Sequence, residues 1–149
     1  MKLKVFTDGA CSGNGSTSAK AGWAYAIVDE NNICLKKDSG TVLNGTNNIG
    51  ELMAIIEGIR GAAEFNPDRL VICSDSAYCI NGITNWRYNW KKNDWWRDSK
   101  KTQELKNREL WITLDHLIDM SYMEFEKVAG HSGVEWNEIV DKLAVARTR

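Results

Sequence analysis

Apolar and polar residues alternate over Lys2–Asp8, with Leu3, Val5 and Thr7 on one face and Lys4, Phe6 and Asp8 on the other. That period of two predicts a strand. Gly9–Gly22 is rich in Gly, Ser, Thr and Ala and is expected to form a loop. Trp23–Val28 and Ile33–Val42 predict two further strands, joined by a turn at Asp29-Glu-Asn-Asn32. Leu52, Ile55, Ile56, Ile59, Ala62 and Ala63 recur at helical spacing, so a helix is expected from about Asn48 to Phe65, stopped by Asn66-Pro67-Asp68. Leu70–Cys73 predicts a short buried strand running into Ser74-Asp75-Ser76, a helix start. Helical pieces follow to about Trp90. Leu110, Trp111, Leu114, Leu117 and Ile118 mark another amphipathic helix, Tyr122–Val128 a strand, and Ile139, Val140, Leu143 and Ala144 a final helix. The order β-β-β-α-β-α-α-β-α predicts an α/β architecture, one sheet with helices on its faces, in one domain over residues 1–149.

Composition narrows the class. A single proline among 149 residues excludes collagen-like and proline-rich chains, and 43% hydrophobic with 26% charged residues suits a globular protein. No apolar run approaches the roughly 18 residues of a membrane span. Met1–Asp8 enters the strand pattern at once, leaving no room for a signal peptide, so a cytoplasmic protein without membrane contact is expected. Cys11, Cys34, Cys73 and Cys79 form no CxxC or Cys/His pairing, so neither a zinc site nor a disulfide scaffold is indicated.

Charge changes the picture more than composition does. The net charge is −1, which by itself argues against a polyanion partner. Between Trp86 and Arg108, however, eight cations face three acids, a local +5; the remaining eleven cations and seventeen acids leave −6 elsewhere. Trp86, Trp90, Trp95 and Trp96 interleave with those cations. Ammonium and guanidinium groups attract phosphates, and flat rings take sugars and bases. A solvated helix face with buried tryptophans would read the same way.

Four acids fall where α/β sheets gather function, at strand ends and helix starts. Asp8 precedes a Gly-rich stretch, Glu51 opens the first long helix, Asp75 ends the fourth strand, and Asp141 lies on the last helix after Gly130-His131-Ser132-Gly133. Converging carboxylates repel unless cations neutralise them, and hard oxygen ligands suit Mg²⁺ or Mn²⁺. Each acid also has a plainer role. Asp75 could be a helix cap, Glu51 could complement a helix dipole, and Asp141 could be a surface acid. His131 reads as a loop residue or a proton carrier; His116, amid Leu114, Leu117 and Ile118, reads as a surface or core histidine.

Four collinear blocks resemble ribonuclease H type 1 over nearly the whole chain. They are Thr7-Asp8-Gly9-Ala10-Cys11-Ser12-Gly13-Asn14; Thr46-Asn47-Asn48-Ile49-Gly50-Glu51-Leu52-Met53-Ala54; Ser74-Asp75-Ser76-Ala77-Tyr78 with Asn81–Trp86; and Gly130–Gly133 with Asn137 and Asp141-Lys142-Leu143-Ala144. The resemblance implies a ribonuclease H-like fold, a mixed five-stranded sheet flanked by helices. It implies cleavage of the RNA strand of RNA–DNA hybrids, with Asp8, Glu51, Asp75 and Asp141 holding two Mg²⁺ ions (Mn²⁺ as a substitute) and His131 assisting proton transfer or product departure. It places Asn14, Asn47, Asn48 and the backbone at Cys11 in the minor groove, and Thr46 and Asn107 on a DNA-strand phosphate. Trp86, Trp90, Lys91, Lys92, Lys100 and Lys101 would form a basic arm gripping the DNA strand. Asn44, Ala77 and Trp136 depart from the family's usual residues, as does the proline-free Gly13–Gly22 stretch.

The chemistry agrees with that set. Phosphodiester hydrolysis to a 5′-phosphate and a 3′-hydroxyl needs an activated water and a neutralised leaving oxygen, which two divalent ions supply. Choosing RNA requires reading the 2′-hydroxyl. A monomer with no obligate protein partner is expected. The alternatives are a noncatalytic hybrid-binding module, which would have lost a carboxylate, and a transposase or junction-resolving nuclease, which would bring further domains.

Overall fold

The structure, a computed structural model, describes residues 1–13, 18–129 and 135–149. Five strands form one sheet: β1 (Lys2–Ser12), β2 (Lys20–Val28), β3 (Cys34–Leu43), β4 (Arg69–Ser74) and β5 (Met123–Lys127), in the order β3-β2-β1-β4-β5. β1, β2 and β3 are antiparallel neighbours, and β1, β4 and β5 run parallel. The helices are α1 (Asn47–Ala63), α2 (Ala77–Asn81), α3 (Arg87–Lys92), α4 (Arg108–Leu117) and α5 (Glu135–Ala146), with a π-helical turn, Gly82–Trp86, joining α2 to α3. The chain's pattern predicts an α/β sheet with helices on its faces, and the mixed five-stranded form is the one that the family resemblance implies.

The alternation in β1 works as the sequence implies. Leu3 and Val5 join the large core with Tyr25, Ile27, Leu70 and Ile72, beneath Leu52, Ile55, Ile56 and Ile59 of α1. Phe6 points the other way, into a smaller core with Ala24, Ala26, Val71 and Cys73, closed by Val140 and Ala144 of α5. The α1 N-cap is Thr46, whose hydroxyl accepts from the Ile49 amide at 3.2 Å. The Asp29–Asn32 turn forms as expected: Asp29 Oδ1 accepts from the Asn31 and Ile33 amides, both at 2.9 Å, and Asn32 takes a left-handed φ of 63°. Trp136 at the start of α5 donates from its indole to Asn32 Oδ1 at 2.8 Å, tying that helix to the turn.

One expectation fails. Gly9–Gly22 is not wholly a loop: β1 continues through Ser12, β2 begins at Lys20, and Gly9, Ala10, Cys11 and Ser12 pair with Trp23, Gly22, Ala21 and Lys20. The small residues are there because helices press on the strands. A Cβ on Gly9 would lie 2.3 Å from the Glu51 backbone nitrogen, and one on Gly22 would lie 2.0 Å from the Ala144 carbonyl oxygen. Glycine inside a strand can mark a close backbone approach as well as a bend. The first helix also ends at Ala63, short of Phe65.

Gly9→Ala should therefore be destabilising, because its neighbour is backbone that no rotamer change can move. A loss of about 1–3 kcal/mol is expected for such overpacking, or a melting temperature lower by roughly 2–10 °C. A melting curve equal to that of the parent protein would contradict the close packing of α1 on β1.

Candidate active site and nucleic-acid interface

Strand register brings two of the acids together. Phe6 pairs in parallel with Cys73, and both side chains enter the smaller core. Two residues further along β1, on the same face as Phe6, stands Asp8, and Asp75 follows directly on the end of β4 at Ser74. The close approach at Gly9 then sets Glu51 of α1 beside Asp8. One carboxylate oxygen from each of Asp8, Glu51 and Asp75 lies within 4.8 Å of the others. Asp141, delivered by α5, lies against Asp8 and lines a cleft with Asp8, Asp75, Asn137 and Glu138.

The plainer roles do not hold. Ser76, not Asp75, caps α2 by accepting from the Cys79 amide at 3.1 Å. Glu51 lies beyond the first turn of α1 and is buried with Asp8, at 8% and 7% exposure. His116 is an exposed surface residue of α4. His131 and Asn14 lie outside the described residues.

The cluster is short of positive partners. A single amide, that of Gly9, donates to both Asp8 Oδ1 (2.9 Å) and Glu51 Oε1 (3.0 Å). Glu51 Oε2 is buried with no hydrogen-bond partner among the described residues. Burial raises the Asp8 carboxyl well above the usual carboxylate range, the Glu51 contact opposes this, and the Asp75 charge adds to it. Burial raises Glu51 further, reinforced by the charges of Asp8 and Asp75. An orphaned buried carboxylate oxygen beside two more hard oxygen donors fits a divalent cation such as Mg²⁺.

Thr46, Asn47, Asn48 and Asn107 line one groove, of about 510 Å³, although Thr46 and Asn107 are 61 positions apart in the chain. Cys11 sits beside it in β1, its thiol donating to the Gly45 carbonyl at 3.4 Å. Asn107 takes a left-handed φ of 60° ahead of α4 and donates from Nδ2 to the Tyr78 hydroxyl at 3.2 Å, so its side chain is held in place. Lys106 lines the same groove. Charge pattern alone assigns it only to the basic stretch; its place directly before Asn107 is the one local signal for this position.

The basic stretch is partly internal. Arg87 is buried and pairs with Asp115 of α4, an acid outside the stretch, which also holds Lys91 at 3.1 Å. Lys101 pairs with Asp94 at 2.8 Å. Lys92 and Lys100 are exposed, with no ion pair among the described residues. The tryptophans divide as well. Trp111 is fully buried, and Trp90 packs edge-on against it at 5.1 Å between ring centres. Trp86 is 38% exposed and lies 5.9 Å from Trp90. With Tyr78, Asn89, Arg97 and Lys106 these two rings line a groove of about 440 Å³. Asn89 and Arg97 join the site only through folding.

The family model for RNase H matches residues 1–149. The chain is 41% identical over 144 residues to Ribonuclease H of Acetivibrio thermocellus, covering 96% of this chain and 92% of that protein. Among solved structures, LC9-RNase H1, a type 1 RNase H, superposes with a TM-score of 0.79 at 25% identity, covering 99% of this chain and 72% of that one. The foamy viral protease-reverse transcriptase in complex with RNA/DNA hybrid matches with a TM-score of 0.85 at 16% identity, over 98% of this chain and 20% of that one, a likeness of fold. With sheet order, carboxylate cluster and whole-length similarity in agreement, the chain belongs to the RNase H family.

Proposed function

We propose that the protein is a single-domain endoribonuclease that hydrolyses the RNA strand of RNA–DNA hybrids, leaving 5′-phosphate and 3′-hydroxyl ends. The observation that carries this reading is the buried carboxylate cluster, with its orphaned Glu51 oxygen, in a chain of this family. Asp8, Glu51, Asp75 and Asp141 would hold two Mg²⁺ ions, or Mn²⁺ in their place. Bound there, the ions supply water activation and neutralise charge developing on the leaving oxygen. All four acids are present, which disfavours a noncatalytic binding module.

The remaining residues orient the substrate. Asn47, Asn48 and the Cys11 backbone, together with Asn14, test for 2′-hydroxyls in the minor groove. Thr46 and Asn107, with the Lys106 ammonium beside them, take a phosphate of the DNA strand. Trp86 and Trp90 contact its sugars, and Lys91, Lys92, Lys100 and Lys101 attract its backbone. Such contacts carry little base information, so sequence preference is weak. His131 is assigned proton transfer or product departure on its motif alone. No described helix is long and apolar enough to cross a membrane, and the reading is of a cytoplasmic monomer that needs no protein partner.

Asp8→Asn and Asp75→Asn should each lower turnover by at least about 10³-fold, since several kcal/mol of metal-borne stabilisation is removed. Hybrid cleavage at saturating Mg²⁺, read beside a melting curve, checks this. Near-parental turnover in either variant would remove the metal assignment.

Metal-free stability should fall as pH rises. Asp8 and Glu51 hold protons to higher pH in the fold than in the unfolded chain. The folded state therefore binds more protons above about pH 4, and its stability is lost as pH climbs through the raised values. Melting temperatures in EDTA should decline from about pH 5 to 8. Saturating Mg²⁺ should cancel the decline, and Asp8→Asn should shrink it. A flat profile in EDTA would show that the acids are not crowded.

Neutralising Lys92 and Lys100 should raise KM with little change in kcat. The slope of log K against log[salt] should flatten by roughly 0.7–0.9 for every phosphate no longer neutralised. Lys91 and Lys101, already ion-paired, should matter less. Rates at several salt concentrations test this; an unchanged slope would mean a merely solvated face.

A further inference from the structure

The grooves of the basic arm form one track. Lys106 lines both the Thr46–Asn107 groove and the Trp86–Trp90 groove. Leu105 lines the latter and also a third groove of about 390 Å³, walled by Trp95, Trp96, Glu104 and Arg108. None of the residues assigned above to duplex binding lines this outer groove.

The outer end is firmly built. Trp96 and Glu104 pair as an antiparallel bridge, and the Arg97 amide donates to the Gln103 carbonyl at 3.1 Å. Asp98 Oδ1 accepts from the amides of Thr102 (2.9 Å) and Gln103 (3.0 Å), closing the loop on itself. Asp94 and Trp95 both take left-handed backbone, with φ of 54° and 68°. That region is uncommon for a bulky residue and persists only where the surroundings enforce it. Here Trp95 packs against the main core and its amide donates to the Trp90 carbonyl at 2.7 Å. Trp96, next in the chain, is half-buried and lies outside both cores.

Resting on the hybrid-binding reading, we propose that the Trp95–Trp96–Arg108 groove binds unpaired nucleotides of the strand whose phosphate sits at Thr46 and Asn107, where that strand runs past the end of the duplex. Tryptophan rings stack on any base, and a nearby guanidinium attracts the connecting phosphate. Arg108 is exposed and makes a 3.4 Å contact with Glu109, also exposed, so exchanging that partner for a phosphate costs little. Among the described residues no asparagine or glutamine lines the groove, so the site reads stacking rather than sequence. Glu104 is the one acid among its described lining residues and weakens the grip.

The test compares blunt hybrids with hybrids whose DNA strand carries an unpaired tail at one end or the other, by fluorescence anisotropy and by initial rates. One of the tails should tighten binding and lower KM by about five- to tenfold, the scale of one stacked base. Trp96→Ala should erase that advantage and leave the blunt hybrid unaffected, Trp96→Phe should keep part of it, and Glu104→Gln should enlarge it. If Trp96→Ala fails to fold, Arg108→Gln serves in its place and should shrink the advantage. No tail advantage in the parent protein, or one indifferent to these changes, overturns the proposal. Failure of the parent protein to cut the blunt hybrid overturns the nuclease reading instead, while anisotropy still reads the tail.

Discussion

A single backbone amide, that of Gly9, serves two buried carboxylates, and the organisation of the site follows from that shortage. Residue 9 has to lack a Cβ for α1 to come near enough to set Glu51 beside Asp8. Once there, Glu51 has one oxygen on the shared amide and the other with no partner among the described residues. Two neighbouring acids add charge to the same small volume. Like charges at this separation in a poorly hydrated site retain protons or take up cations. A fold that confines three carboxylate oxygens within 4.8 Å of one another is poised for divalent ions.

Opposite charges are segregated in separate parts of the molecule, and on the proposed reading the acids cut while the cations grip. The acids gather where β1, β4 and α5 meet, and the cations gather on the arm between Trp86 and Arg108. The arm commits part of its charge to its own rigidity. Arg87 and Lys91 converge on Asp115, the arginine also donating to the Ile83 carbonyl at 3.1 Å, so α3 is clamped onto α4. A buried ion pair of this kind is weak evidence for added stability, since desolvation offsets its attraction. Its visible consequence is geometric: Trp86 and Trp90 are held beside Tyr78, and Tyr78 is held by Trp111 and Asn107. The aromatic groove and the Thr46–Asn107 groove are thus coupled through one tyrosine hydroxyl.

The set of elements and the identity of the acids are legible in the sequence without the fold. Period-two and helical spacing are local properties, so Leu3, Val5 and Phe6 in β1 and Leu52, Ile55 and Ile59 in α1 find their faces without tertiary information. Asp8 stands out because Asp in a strand is costly, and all four acids stand out because their flanking motifs resemble one family. Tertiary structure decides the rest. Composition misreads Gly9–Ser12 and Lys20–Gly22 as loop, because a glycine needed for a helix pressing on a strand looks the same in sequence as one needed for a turn. It counts Arg87 as surface charge, because Asp115 lies 28 residues away. Lys106, Asn89 and Arg97 become groove residues, and Asp8 and Asp75 neighbours, only through the parallel register of β1 with β4 and the packing of the arm. Those are distances between residues far apart in the chain, and no local pattern encodes them.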